Sequence, residues 1–134
     1  MTKPYKVYIT EDDLYEEKGY SLNTSLRVDH TGDIEQTKKH FLDEIASIIY
    51  TKILDITKNS DRAELICTDP YFETKLARLQ LEQAVYVLEN GNIYSVADDS
   101  GQIDMARLKT DSNALSSLVE KELEAMPIRY LGMC

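Results

Sequence analysis

The sequence predicts a mainly α-helical fold: a small bundle of about three main helices, with a short β-hairpin and extended N- and C-terminal arms. Apolar residues recur at spacings of three and four along three segments, which is the pattern of helices that bury one face. Helix-ending residues close two of these segments, Gly91 after the second and Pro127 after the third. The length of 134 residues fits a single domain, which we divide into an arm (1–30), a helical body (31–126) and a tail (127–134).

The arm shows no helical period. Tyr5, Val7 and Ile9 occupy alternate positions, which is the period-two pattern of a short strand. An acidic stretch and scattered apolar residues follow them without helical spacing. We therefore expect an extended arm that contains one or two short strands.

The first main helix is predicted to begin after Asp33, whose carboxylate can accept hydrogen bonds from the free N–H groups of the first turn. Its apolar stripe runs from Ile34 to Ile56, and the helix is expected to end near Thr57. The segment that follows, residues 62–67, is ambiguous between a short helix and a strand.

The second main helix has the clearest start in the chain. Asp69 is a favourable N-cap, and Pro70 fits the first helical position, where a missing N–H costs nothing. Residues 84–88 are apolar almost all round, which predicts that the end of this helix is buried on more than one side. Gly91 is expected to close the helix in the left-handed conformation.

A β-hairpin is predicted near residues 93–108. Residues 93–97 form its first strand and residues 103–108 its return strand. The sequence Asp-Asp-Ser-Gly between them, residues 98–101, is typical of a turn.

The third main helix follows the hairpin. Asp111, Ser112 or Asn113 is expected to cap its start. An apolar stripe between Leu115 and Met126 predicts one buried face. Pro127 ends the helix, because the residue before a proline is pushed out of the α region.

Charge and composition exclude several classes of protein. The chain has 15 Lys and Arg against 24 Asp and Glu, a formal net charge of −9, and a nucleic-acid binder usually shows a basic face. Its two cysteines, Cys67 and Cys134, lie too far apart for a zinc motif. A disulfide between them is one interpretation, and free thiols in a reduced cytoplasmic compartment are the simpler one. No apolar run is long enough to span a bilayer, and the N-terminus has no signal-peptide pattern.

No set of residues predicts catalysis, a metal site or a cofactor. His30 and His40 are the only histidines, and no nucleophile motif accompanies them. Asp61 with Glu73-Thr74-Lys75 has the residue types of some metal-dependent nucleases, but an acid in a first helical turn simply complements the helix dipole. The acidic segment 98–104 lacks the spacing of a calcium loop. We therefore expect a protein that is not an enzyme.

Two motifs carry a resemblance to a known family. Tyr86-Val87-Leu88-Glu89-Asn90-Gly91 ends a predicted helix just before a predicted strand, and Leu115-Ser116-Ser117 opens the last helix. That helix has Leu123 in its middle, and Ile128-Arg129-Tyr130-Leu131-Gly132-Met133 follows it. This order, over roughly residues 69–133, resembles the C-terminal part of head–tail connector (adaptor) proteins of tailed bacteriophages. The family pattern has Pro at Ser117, Ala at Val119 and Gly at Pro127.

The resemblance implies a structural virion protein without catalysis. Such proteins form an oligomeric ring, usually of twelve copies, under the portal protein. The ring extends the DNA channel and provides a platform for the tail or stopper protein, and DNA passes through it without sequence-specific binding. The implied location is the neck of the virion, after synthesis in the cytoplasm of the bacterial host, with no membrane and no cofactor.

A ring needs heterologous contacts, in which one patch meets a different patch on the next subunit. Apolar side chains in the arm and the tail are our candidates for contacts with a neighbouring subunit or the portal: Tyr5, Val7, Ile9, Ile128, Tyr130, Leu131 and Met133. The alternative is a small acidic phage-encoded inhibitor or DNA mimic. Acids scattered among lysines, rather than regularly spaced on one face, disfavour that alternative.

Overall fold

A computed structural model describes residues 3–91, 96–110 and 115–126 of the chain. Within these ranges the protein is mainly α-helical, as predicted. A 3-10 turn, Pro70–Phe72, leads directly into the fifth helix. The helices are α1 (Glu11–Lys18), α2 (Leu22–Ser25), α3 (Ile34–Thr57), α4 (Ser60–Thr68), α5 (Glu73–Asn90), α6 (Met105–Thr110) and α7 (Ser117–Ala125).

The long helix α3 has the predicted bounds. The Asp33 carboxylate accepts a hydrogen bond from the backbone N–H of Glu35 at 2.9 Å, so the predicted N-cap is confirmed. The helix ends at Thr57, and the C-cap residue Lys58 adopts the left-handed conformation with φ of 54°. Its apolar stripe is buried along its length, at Phe41, Ile45, Ile49 and Ile53.

The helices after α3 begin at polar caps. The ambiguous segment 62–67 belongs to α4, whose first turn is capped by the Asn59 side chain accepting from two backbone N–H groups. Asp69 caps the following turn by accepting from the N–H of Tyr71 at 2.9 Å. The predicted start of the second main helix is therefore correct, although its first turn is 3-10 rather than α.

Gly91 does not adopt the left-handed conformation expected for it, since its φ and ψ are −54° and −37°. Glycine fits here because of a close approach. A Cβ added at Gly91 would lie 2.6 Å from Cδ1 of Ile103, a side chain only 2% exposed. The C-terminal end of α5 therefore packs directly against Ile103.

Gly91→Ala is expected to lower the free energy of unfolding by about 1–3 kcal/mol, the usual cost of overpacking a core. Ile103→Val removes the methyl group that would clash, so the double variant should lose less than the two single variants added together. Urea unfolding of the four proteins measures this coupling. Strictly additive losses would show that contact with Ile103 is not what restricts position 91 to glycine.

The predicted hairpin near 93–108 is not supported. Ile103 makes one isolated antiparallel bridge with Ala97 and one parallel bridge with Leu26, and residues 93–95 lie outside the described part of the chain. The proposed return strand 103–108 is wrong, because α6 begins at Met105. Met105 and Leu108 are both buried, which is a helical spacing.

The N-terminal region is not an extended arm with strands. It contains α1 and α2, and the acidic stretch begins in the first turn of α1 with Glu11, Asp12 and Asp13, where carboxylates complement the helix dipole. Thr10 and Asp13 form a reciprocal capping box at its start. Four apolar residues of this region are core residues, with at most 5% exposure: Ile9, Leu14, Leu22 and Leu26.

The core consists of two adjoining clusters. The first joins the N-terminal region to the first half of α3, the second half of α5, and α6. The second joins the rest of α3 and α5 to α4 and α7. In α7 the Ser116 hydroxyl accepts the cap hydrogen bond from Val119 N–H at 3.5 Å, whereas the predicted cap residues 111–113 lie outside the described residues.

Candidate interaction surface

Of the three apolar residues singled out in the N-terminal region, one is well exposed. Val7 is 40% exposed, whereas Ile9 is 5% exposed and belongs to the first core cluster. Tyr5 is half-buried: its ring lies 5.6 Å from that of Tyr50, and its hydroxyl donates to Asp43 at 3.2 Å. Of these three residues, Val7 can therefore meet a partner without rearrangement of this chain.

A buried glutamine holds the N-terminal segment on α5. Gln80, 3% exposed, accepts a hydrogen bond from the backbone N–H of Tyr8 at 2.8 Å and donates to the carbonyl of Lys6 at 2.8 Å. The amide thus pairs with the segment as a neighbouring strand would. The Tyr8 hydroxyl adds a bond to the carbonyl of Cys67 at 2.6 Å, which ties the same segment to α4.

The other four predicted contact residues, Ile128, Tyr130, Leu131 and Met133, lie outside the described residues. The helix before them, α7, is held against α5 by hydrogen bonds and ion pairs. The backbone N–H of Ser116 donates to Gln83 at 2.9 Å, and Glu122 pairs with Lys75 and, at 3.2 Å, with Arg78. Because its later residues meet earlier residues of α5, α7 runs antiparallel to that helix.

Ion pairs fix α7 on both sides. Lys52 of α3 lies 3.4 Å from both Glu120 and Glu124. On the opposite side, the hydrogen bond from Lys75, with Arg78 nearby, lowers the pKa of the Glu122 carboxyl below its ordinary value. The last described residue, Met126, belongs to the same core cluster as Phe72, which precedes α5.

Exposed apolar side chains lie on several elements. Tyr71 in the 3-10 turn is 82% exposed, and Tyr15 on α1 is 65% exposed. Leu65 on α4 and Leu118 on α7 are about half exposed, at 58% and 50%. Sequence reasoning missed these four residues as contact candidates, because each lies beside buried neighbours in an amphipathic pattern.

The two histidines form a cluster with Asp29. His40 Nδ1 lies 2.6 Å from Asp29 Oδ2, and the rings of His30 and His40 stack with centroids 6.3 Å apart. The Asp29 carboxylate also accepts from the hydroxyl of Thr31 at 2.5 Å. Hydrogen bonds from Thr31 first, and then from His40, hold the pKa of the Asp29 carboxyl well below its usual range.

This cluster predicts a pH dependence of stability. The lowered pKa stabilises the fold above the unfolded value of 3.8, and the contribution is lost as the pH falls through the lower native pKa. Asp29→Asn should therefore be less stable than the parent protein at pH 7, and the difference should shrink below about pH 4. Urea unfolding across this range, with the exposed Asp99→Asn as control, measures it. A pH-independent difference would contradict the assignment.

The chemistry available at the surface is limited. Burial raises the pKa of the Cys67 thiol to about 12, so this sulfur is a poor nucleophile. Among the residues that the structure describes, no three His, Cys, Asp or Glu side chains are grouped to hold a metal ion. Nor does any helix in the described ranges combine the length and apolar character needed to cross a membrane.

The described surface therefore offers exposed apolar residues, ion-paired helices and open grooves as its features for binding. One groove, of about 710 Å³, lies between α1 and α5. A second, of about 430 Å³, lies beside Asp29 and His30. Comparison with known proteins gives no match: no family model, no curated protein and no solved structure is similar to this chain.

Proposed function

We propose that this chain is a structural head–tail connector of a tailed bacteriophage, which assembles as a ring under the portal protein. The observation that carries the proposal is the pair of motifs at residues 86–91 and 115–133. The first motif falls at the C-terminal end of α5, and the second includes α7. A helix end followed by a last helix and an apolar tail is the order that the resemblance implies.

The charge of the protein supports the same role. With a formal net charge of −9 for each chain, a ring of such subunits would repel the phosphate backbone of DNA passing through it. A channel wall that does not bind phosphate lets DNA slide without sticking. The charge thus suits passage of DNA and disfavours binding to it.

An acidic inhibitor that mimics DNA is the alternative. Such a protein presents carboxylates free of cations on one face. Here Lys38 lies 2.9 Å from both Glu11 and Glu35, and Lys18 lies 2.8 Å from Glu82. Pairs of this kind cancel the charge that a mimic would display, so we favour the connector.

Co-expression with the portal protein encoded near the same gene tests the proposal. Light scattering gives the mass of each complex, and negative-stain microscopy gives its shape. Rings of the chain alone, or a portal that gains a second tier, would support the connector. A monomer that does not bind the portal would contradict it, and inhibition of a host nuclease would then favour the alternative.

Removing residues 128–134 should leave a folded monomer and weaken assembly. We expect the shortened chain still to unfold cooperatively in urea, since it retains every residue of the two described core clusters, and we expect loss of the ring or second tier. Asp55→Asn is the control, since it changes an exposed side chain of α3 that belongs to none of the proposed contacts, and it should assemble normally. A truncated chain that still assembles would refute a contact role for the tail.

A further inference from the structure

The groove between α1 and α5 has an apolar floor and a charged rim. Its floor is formed by Ile9, Ala77 and Leu81. Charged residues of both helices line its rim: Asp13, Glu17, Lys18, Arg78 and Glu82. Along α5 the groove extends from Thr74 to Glu82, about 12 Å at 1.5 Å per residue. An apolar strip of this length suits one face of a short helix.

Both basic side chains of the rim already have an acidic partner. Lys18 lies 2.8 Å from Glu82, and Arg78 lies 3.2 Å from Glu122 of α7. Glu17 is exposed, and among the described residues no cation lies within ion-pair distance of it. The rim therefore favours a partner that brings a positive charge to Glu17.

The outer face of α7 has the features that the groove lacks. Leu118 is 50% exposed, and Lys121, three residues later, is exposed on the same side of the helix. The opposite side of α7 is buried against its own chain through Val119 and Leu123. The helix has nine residues and is therefore about 13.5 Å long, close to the length of the groove.

Lys121 is a charge of α7 that its own chain does not neutralise. Glu120 and Glu124 each lie 3.4 Å from Lys52, and Glu122 is paired with two basic side chains of α5. In the described part of the chain, no acid lies within ion-pair distance of Lys121. The outer face thus presents an apolar side chain beside a positive charge, whereas the groove presents an apolar floor beside a negative one.

We propose that α7 of one copy of the chain docks in the groove between α1 and α5 of a second copy, with Leu118 on the apolar floor and Lys121 beside Glu17. The two patches share no residue, so each copy can dock its α7 on one neighbour while its own groove receives the α7 of another. Such a contact is heterologous and can close into a ring. It rests on the proposed function and deepens it, because it names the surfaces by which neighbouring copies of the ring meet.

Disulfide trapping between two variants of the full chain tests the contact. Chains with Ala77→Cys are mixed with chains with Leu118→Cys under a mild oxidant, and Cys134→Ser in both leaves the buried Cys67 as the one natural cysteine. A covalent pair with one copy of each variant should form several-fold faster than the pair of Glu16→Cys with Leu118→Cys. Glu16 is exposed on α1 and does not line the groove, so it is a matched control. Equal rates for the two pairs would overturn the proposal.

Charge reversal tests the ion pair within the contact. Glu17→Lys in the Ala77→Cys chain should slow the cross-linking several-fold, because it places two cations side by side. Adding Lys121→Glu to the Leu118→Cys chain should restore the rate, whereas Glu16→Lys should leave it unchanged. Circular dichroism checks that each variant folds. A rate that Glu17→Lys does not alter would contradict the placement of Lys121 and overturn the proposal.

Two further results would assign the groove to another occupant and overturn the proposal. Cross-linking of Ala77→Cys chains with one another, as fast as in the mixture, would indicate a symmetric contact. Protection of the Ala77→Cys thiol by the portal protein, without a cross-link to Leu118→Cys, would assign the groove to the portal. If Ala77→Cys fails to fold, Thr74→Cys replaces it, since Thr74 is exposed and lines the same groove.

Failure of the contact and failure of the connector role can be told apart. A parent chain that adds a second tier to the portal, in the absence of any cross-link between positions 77 and 118, would refute the contact and support the connector. A cross-link between these positions in a chain that does not bind the portal would support the contact between copies and contradict the connector.

Discussion

Deletion of residues 1–28 is expected to abolish cooperative folding. Four side chains of this region lie in the core with at most 5% exposure, namely Ile9, Leu14, Leu22 and Leu26. Loss of one such side chain costs about 2–5 kcal/mol, and a whole domain is stable by only about 5–15 kcal/mol. The truncated chain should therefore show no sigmoidal transition in urea when its helical circular dichroism is followed.

Two substitutions on α1 separate core packing from general effects of truncation. Leu14 is fully buried, and Leu14→Ala should lower the free energy of unfolding by about 2–5 kcal/mol. Tyr15, the next residue, is 65% exposed, and Tyr15→Ala should stay within about 0.5 kcal/mol of the parent. A chain lacking residues 1–28 that still unfolds cooperatively would show that this region is a detachable arm.

The second large effect is expected at Gln80. Gln80→Leu introduces an apolar side chain of similar size. It removes both hydrogen-bond partners of the N-terminal segment, the acceptor for Tyr8 N–H and the donor to the Lys6 carbonyl. A buried polar group left without a partner costs about 1–3 kcal/mol. We therefore expect a loss of at most about 2–6 kcal/mol for the two groups, and a smaller loss where the segment detaches into water.

Hydrogen exchange and a matched glutamine test this assignment. The amide of Tyr8 should exchange faster in Gln80→Leu, while amides in the middle of α3 keep their protection. Gln36 is exposed on α3, so Gln36→Leu should change neither property. Unchanged exchange at Tyr8 in Gln80→Leu would contradict the role of the amide.

Local signals predicted the two long helices well. Asp33 and Asp69 cap the turns that follow them, because an N-cap needs only residues two or three positions away. The apolar stripe of α3 could likewise be recognised within one segment. Predictions that depend on neighbours close in sequence were therefore correct.

Features that depend on distant neighbours could not be predicted in this way. The buried residues Ile9, Leu14, Leu22 and Leu26 fit no single period, because Gly19 interrupts the helices with a left-handed turn. Ile103 was assigned to a hairpin strand, yet its N–H and C=O bond to Ser25 and Arg27. Nor does anything in the sequence around Gln80 mark it as the partner of Lys6 and Tyr8, since a glutamine on a helix usually faces solvent.

The pairing of Ile103 with the N-terminal region has a consequence for biosynthesis. Because residues 25–27 bond to a residue near the other end of the chain, the first core cluster cannot close until α6 has left the ribosome. Until then Leu22 and Leu26 lack their partner, while α3 and α5 can already pair locally. Folding should thus be completed only late in translation or after release, and more slowly than in a bundle whose helices contact only their sequence neighbours.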